Sequence, residues 1–600
     1  MYRSKIHNEV QVIMNYNLNE AASKTEQKKS TLTALKKLLG LIKEEKRTLI
    51  IAMIIILINA GLSLLGPFLI GHTIDTYIQS KQYHGVILFS GILLCMYITV
   101  FITNYLQITI MGGVGQRMLY SLRNAVFNKL QILPVDFFNQ NKAGDLISRI
   151  NNDTDKLNQF FSQSLMQFIS SIFTMLVAGI FLLSINPKLG AAALLPALVI
   201  WIFTKAISPW VKGKNAANLK SVGGLSAEIQ ESLSNFKVIV AFNRRDYFRK
   251  RFGEANQNNY STSVSAGLAN NIFTPVYGLS SNIGQLIVLA FGIYLIMTGQ
   301  FTVGLLIGFL AYIYSFYQPL RQLAALWASF QIAMAGWDRI TQILSLDTNL
   351  LVIEDQKAVA SNSYLSFKNV SFSYPNGKEV LHHVSFDLER GKTYAFVGPT
   401  GGGKTTTASL IARLYDASTG TVLLDGKDIR TYNPEERTSK IGFILQEPFL
   451  FSGTVRDNIL YGNPEYRNLS NDELTAAINE SGLESLLIRF DEGLESKVQT
   501  SGDGISLGQK QLIAFMRSVL RKPELLILDE ATANIDTITE QLLESILQKL
   551  PSSTTRVIIA HRLNTIENAD EIFFVNSGEV IPAGSLQDAV NLLLHGKRES

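Results

Sequence analysis

The chain has 600 residues, 47% of them hydrophobic, with a mean hydropathy of +0.17. That length holds two or more domains, and that hydropathy argues against a wholly soluble protein. The single cysteine, Cys95, excludes an intrachain disulfide, and the net charge of +5 is too mild to define a partner by itself.

Residues 1–31 are polar, lack the apolar stretch of a signal peptide, and read as a poorly ordered tail. Residues 32–345 read as a membrane domain. It opens with Leu32, Leu35, Leu38, Leu39 and Ile42 at helical spacing, interleaved with Lys36, Lys37 and Lys43, the pattern of an amphipathic helix on a membrane surface. Six segments follow, near 49–71, 85–106, 160–185, 189–208, 276–298 and 303–325. Each is apolar enough to cross a hydrocarbon core, which takes about 20 helical residues. Pro196 interrupts the fourth, which a membrane helix tolerates where neighbours satisfy the freed carbonyl.

The short connections near 77–84, 186–188 and 299–302 hold only Lys81 and Lys188. The two long connections are rich in Lys and Arg, from Arg117 to Lys156 and from Lys205 to Arg251. Basic loops stay in the cytoplasm, so both termini are expected there, in a multi-pass protein of the plasma (bacterial inner) membrane. The positive charge is thus a topology signal, and nucleic acid is not an expected partner. Loops of that length without structure are uncommon, so the helices are expected to run past the bilayer as two stalks tipped by short turns.

Residues 346–362 read as a polar linker. From residue 363 to 600, short apolar strands alternate with helical stretches, as in an α/β nucleotide-binding domain. The expected fold class is therefore an all-α membrane domain of six spans with long cytoplasmic extensions, followed by an α/β P-loop domain. Gly398, Pro399, Thr400, Gly401, Gly402, Gly403, Lys404, Thr405 and Thr406 follow an apolar strand and match G-x-x-x-x-G-K-[ST]. Glycines let backbone N–H groups close around phosphates, and a helix N-terminus adds positive potential. Lys404 is expected to reach the β- and γ-phosphates of ATP, and the Thr405 hydroxyl to bind Mg²⁺. Leu525–Glu530 is an apolar strand ending in two carboxylates, with Asp529 expected on Mg²⁺ and Glu530 as general base. His561 follows the strand 557–560 and is expected near the γ-phosphate. Gln446 ends the run 441–445, where a polar residue is commonplace. Tyr374 is a candidate to stack on adenine or, more blandly, a core residue.

Together these motifs resemble the nucleotide-binding domain of an ATP-binding cassette protein. With six spans ahead of one cassette, the chain resembles a half-size exporter of the multidrug type. The resemblance implies that Tyr374 is the adenine-stacking residue and that Gln446 is the Q-loop residue, acting on both metal and catalysis. It implies that Ser506, Gly508 and Gln509 form the signature, that Asp536 lies in the D-loop and that His561 is the switch histidine. Residues 133–155 and 235–242 resemble the family's two stalks. Two cassettes pair head to tail in that family, so one chain cannot complete a site.

The signature departs from the family pattern: Ile505 replaces leucine and Leu507 replaces glycine, and in the D-loop Ala533 replaces serine. Walker A, Glu530 and His561 are intact. That combination resembles the catalytic chain of an exporter with two unequal sites, so a heterodimer with a second half-transporter is expected, a homodimer being the alternative. The span centres lack carboxylates, which fits an amphipathic or apolar small-molecule cargo. Asn59, Asn104, Gln163, Gln167, Ser170, Asn282, Gln285, Tyr312 and Tyr317 are polar but neutral. The expected activity is ATP-driven export by alternating access, with a lipid flippase or an ATP-regulated channel or receptor partner as alternatives.

Overall fold

A computed structural model describes residues 16–18, 45–347, 350, 352–354, 363–375, 377–499, 505–529, 537–559, 566, 568–584 and 586–595. These fall into two compact units. One takes in Tyr16–Leu18, Ile132–Ala143 and the described residues from Leu346 onward; the other holds residues 45–131 together with Gly144–Ser345. The surface helix expected over 32–43 lies outside the described residues.

In chain order the helices are α1 (Lys46–Ile78), α2 (Tyr83–Gln131), the short α3 (Val135–Gln140), α4 (Ala143–Ile185), α5 (Pro187–Ser234), the short α6 (Phe236–Ala241), α7 (Arg245–Met297) and α8 (Val303–Leu344). The six long ones are apolar and long enough to span a bilayer, and they have 33 to 53 residues. That is well beyond the roughly 20 residues a crossing needs, so each extends past the hydrocarbon. Helix α5 runs unbroken through Pro196 and Pro209 and starts with Pro187 behind the Asn186 cap, whose side chain accepts from the Leu189 N–H.

Neutral polar groups hold these helices together. Asn59 donates to the Val100 carbonyl (3.0 Å) and to Thr103 (2.8 Å), Tyr312 to the Leu64 carbonyl (2.7 Å) and Tyr317 to the Ala193 carbonyl (2.8 Å). Bonds of this kind are worth roughly 0.6 kcal/mol each between membrane helices, so they orient rather than drive the packing. Further along, α5 and α7 are laced by a polar ladder. Asn215 and Asn270 exchange two bonds, Ser263 donates to Asn218 (2.8 Å), and Arg251 pairs with Glu228 (2.8 Å) and Glu231 (3.3 Å). Helices α4 and α8 are joined by charge instead. Arg339 pairs with Asp145 and with the fully buried Asp153 (3.1 Å), and Arg149 donates to the Arg339 carbonyl (2.7 Å).

The other unit is built on strands β1 (Ser363–Ser373), β2 (Glu379–Glu389), β3 (Thr393–Val397), β4 (Thr419–Leu424), β5 (Lys427–Asp428), β6 (Ile441–Ile444), β7 (Gly453–Thr454), β8 (Lys497–Val498), β9 (Leu525–Asp529), β10 (Thr555–Ile559), β11 (Glu571–Asn576) and β12 (Glu579–Pro582). An antiparallel sheet has the order β2-β1-β4-β5, and a six-stranded sheet has the order β12-β11-β3-β10-β9-β6. In the second sheet β11, β3, β10, β9 and β6 run parallel. Strands β3 and β9 are buried at every position, as expected of a parallel sheet covered on both faces. Alternate residues serve opposite cores. Ala395, Val397, Leu526 and Leu528 enter one apolar cluster, and Tyr394, Phe396, Leu525 and Ile527 the other.

The tail was expected to be poorly ordered, but its described residues are not loose. Tyr16 is 1% and Leu18 2% exposed. Composition misses this because both side chains are covered by residues remote in sequence.

Candidate functional site

Strand β3 stops at Val397, and the chain must turn within six residues into helix α9 (Lys404–Ile411). Gly398, Gly401 and Gly403 adopt φ of +146°, +83° and +115°, values that L side chains rarely reach. Space adds a second constraint: a β-carbon at Gly398 would run into the Val575 carbonyl oxygen, and one at Gly402 would sit 2.6 Å from it. Pro399 accepts from the Gly402 N–H (3.1 Å), closing the loop. Pro399 and Thr400 form its outer side, and Gly403 caps the helix.

Lys404 is 5% exposed, and its ammonium donates to the carbonyls of Gly398 (2.9 Å) and Pro399 (3.1 Å), inside the loop's concavity. Thr405, next along α9, donates its hydroxyl to Asp529 (3.3 Å) at the end of β9. Asp529 is 1% exposed. A hydroxyl and a carboxylate oxygen side by side are hard donors of the kind Mg²⁺ takes alongside phosphate and water, so these residues fit that ion.

Register explains the convergence. Ile559 of β10 lies between Phe396 of β3 and Asp529 of β9, and Leu528 is opposite Ile444 of β6. The carboxyl ends of β3, β10, β9 and β6 therefore share one sheet edge, where open α/β sheets bind ligands. Gln446 lies on this edge, two residues beyond β6. Glu530, Asp536 and His561 lie outside the described residues.

Tyr374 is half-buried after β1, and its hydroxyl shares a hydrogen bond with Thr406 (3.1 Å). Its ring meets Phe372 and Tyr415 edge-on, with centroids 4.9 and 5.4 Å apart. Tyr374 is thus fastened to the phosphate loop and steadied by two aromatic rings.

Ser506 begins helix α10 (Leu507–Val519) with a capping box. Its hydroxyl accepts from the Gln509 N–H (3.1 Å), while Gln509 Oε1 accepts from the Ser506 N–H (3.0 Å). Gln509 Nε2 also donates to the Arg489 carbonyl (3.0 Å). Leu507 and Gly508 occupy the first turn, with Leu507 43% exposed. The two serine-and-glutamine bonds leave other first-turn N–H groups without intrahelical partners, the usual basis of anion attraction at a helix start. Ser506 and Gly508 are not brought to Lys404 by any contact among the described residues.

Two residues that sequence reasoning passed over adjoin the site. Tyr415, just after α9, packs against Tyr374 and accepts a 2.6 Å hydrogen bond from Asn139 of α3. Burial pushes its hydroxyl up to about 12. Arg517 of α10 donates to the carbonyls of Asn458 (2.8 Å) and Phe449 (3.2 Å), tying the helix behind Ser506 to the segment behind Gln446; burial lowers its pKa. No local pattern marks either one: a tyrosine after a helix and an arginine inside one are ordinary.

Comparison with known proteins agrees with this geometry. Residues 49–320 match the ABC transporter transmembrane region and residues 381–533 match the ABC transporter family. An uncharacterized ABC transporter ATP-binding protein of Bacillus subtilis, YfiC, is 34% identical over 95% of this chain and 94% of its own. A fatty acid ABC transporter ATP-binding/permease protein of Mycobacterium bovis is 33% identical over 82% of this chain and 77% of its own. A probable multidrug resistance ABC transporter ATP-binding/permease protein of Bacillus subtilis, YheH, is 30% identical over 80% of this chain and 71% of its own. Six spanning helices, a phosphate loop set against a strand-end aspartate, and matches that cover both halves lead to one conclusion: this chain belongs to the ATP-binding cassette transporter family, as a multi-pass half-transporter whose ATPase is coupled to transport.

Proposed function

We propose that the chain is the catalytic half of an ATP-hydrolysing exporter for amphipathic or apolar compounds. The observation that carries the reading is the meeting of Lys404, Thr405 and Asp529 at one sheet edge, in a chain with six spanning helices. Lys404 and the loop N–H groups hold the β- and γ-phosphates of ATP, and Tyr374 carries the adenine. Thr405 and Asp529, with Gln446, hold Mg²⁺, which when bound neutralises phosphate charge. Glu530 takes the proton of the attacking water, and His561 donates to the γ-phosphate. Ser506, Gly508, Gln509 and the D-loop Asp536 act across the dimer on the ATP held by the second half-transporter. Differential affinity of ATP for the closed pair is what moves the membrane halves.

The cargo reading rests on the span surfaces. Asn59, Tyr312 and Tyr317 are engaged in bonds between helices, whereas Asn104, Gln163, Gln167 and Asn282 are exposed and neutral. Such a surface suits a molecule with a long apolar part and a weakly polar end. The names of relatives, a fatty acid transporter and a multidrug resistance transporter, point the same way.

Leu507 favours an asymmetric pair. It puts a branched side chain on the exposed first turn of α10, where close approach of a phosphate favours glycine. In this reading Glu530 works against an intact signature in the partner, and Leu507 faces a slow site. Mg²⁺-dependent ATPase of the purified chain in lipid discs, with Glu530→Gln as control, tests it. Negligible turnover alone, restored by a second half-transporter, is the expected result. Robust turnover that Glu530→Gln abolishes would mean a working homodimer, and turnover that survives Glu530→Gln would remove the assigned base.

A further inference from the structure

Helix α3 and the residue that ends its turn form a small recognition surface, and the segment seated on it comes from the start of the same chain. Asn141 is 8% exposed, and its amide grips a backbone. The Oδ1 atom accepts from the Leu18 N–H (3.1 Å), and Nδ2 donates to the Tyr16 carbonyl (2.9 Å) and to the Phe137 carbonyl within its own turn (2.7 Å). One side chain thus takes the acceptor of Tyr16 and the donor of Leu18, two residues apart, and this fixes the position of the bound segment. The Tyr16 ring meets the fully buried Phe137 edge-on, with centroids 6.4 Å apart. At its far end the Tyr16 hydroxyl donates to the Asp347 carbonyl (3.0 Å), where the chain leaves α8 and heads for β1.

We propose that Tyr16–Leu18 is an intramolecular ligand of the α3 turn, a strap that ties this turn to the chain entering the ATPase domain. Among the described residues, the turn is also linked to the ATPase domain by the bond from Asn139 to Tyr415. One contact permits rotation; a second on the opposite side, through Asn141 and Phe137, fixes orientation. Burial argues for a specific seat rather than casual contact, since both Tyr16 and Leu18 are almost wholly covered although Asn15, Asn17 and Asn19 alternate with them in the sequence. The partner chemistry is defined: a peptide with a tyrosine, then one residue, then an aliphatic residue whose backbone is helical.

Amide hydrogen exchange on the full-length chain in lipid discs tests this. The Leu18 amide is expected to exchange at least ~10-fold more slowly than in a free peptide of the same sequence, because exchange there requires the bond to Asn141 to open. Tyr16→Ala is expected to speed exchange through residues 135–141 by about 3-fold or more while β3 and β9 stay protected. Asn141→Ala is expected to release the Leu18 amide, and reads the same contact from the opposite side if Tyr16→Ala does not fold. Free-peptide exchange at Leu18 in the unaltered chain would overturn the proposal. So would a Tyr16→Ala chain whose 135–141 segment exchanges as before.

Discussion

Replacing Tyr415 separates a packing role from a role in holding Tyr374, the proposed adenine platform. Its ring steadies Tyr374 edge-on and also touches Phe372, with centroids 5.4 and 5.5 Å apart. Each such aromatic pair contributes about 0.5–1.5 kcal/mol beyond area burial, so Tyr415→Ala removes roughly 1–3 kcal/mol of aromatic contact. About half of this bears directly on Tyr374, and at 1.4 kcal/mol per tenfold it predicts a KM for ATP raised about 3- to 10-fold. Tyr415→Phe keeps both ring contacts and removes only the acceptor of the Asn139 bond. That change is expected to leave KM within about twofold while costing roughly 0.5–1.5 kcal/mol of stability. The assay is ATPase kinetics beside thermal melting, with Tyr374→Ala as reference. If Tyr374→Ala raises KM and Tyr415→Ala lowers only the melting temperature, Tyr415 is a core residue and the argument fails.

Lys404→Met keeps most of the volume but removes the ammonium that lies inside the loop, and at about 1.5–3 kcal/mol per charge-assisted bond ATP binding should weaken roughly 100-fold by nucleotide titration. Gly398→Ala forces an alanine to φ +146° with its β-carbon against the Val575 carbonyl, so it should destabilise the domain by about 3 kcal/mol or prevent folding, as read by denaturant titration. Burial raises the pKa of Asp136 in α3, with the Gln140 amide opposing. A carboxyl raised on folding is stable as the acid and costs stability once pH exceeds its folded value. Asp136→Asn should therefore raise the melting temperature at about pH 7.5, with the gain fading as pH falls toward about 4.

The sequence made the six spans and the phosphate loop readable because both rest on local rules. A crossing needs a long apolar run, and a phosphate loop needs glycine where φ turns positive. Gly398, Gly401 and Gly403 meet that need in the structure. What it could not reveal depends on residues far apart in the chain. Tyr16 and Leu18 are covered by Phe137, Asn141 and residues beyond α8, and Tyr415 gains its place from Tyr374 and Asn139. The polar span residues show the same divide. Their neutrality is a sequence property, but only packing shows that Tyr312 and Tyr317 are engaged with neighbouring carbonyls.

Leu507 illustrates how a departure from a motif can be free within one chain. Glycine at a fixed position often supplies a left-handed backbone, and there a leucine would be strained. Position 507 is different: it is the first residue of α10 and has ordinary right-handed helical geometry. The cap does not depend on it, since Ser506 and Gln509 satisfy each other across it. Leucine is also the better helix former by roughly 0.8–1 kcal/mol in a helix interior, and somewhat less at this end. Its side chain is 43% exposed, so little of it is needed by the core. The fold therefore tolerates the exchange, and the consequence falls on whatever approaches that helix end. A test of Leu507 therefore belongs in an assay of the assembled transporter rather than in one of stability.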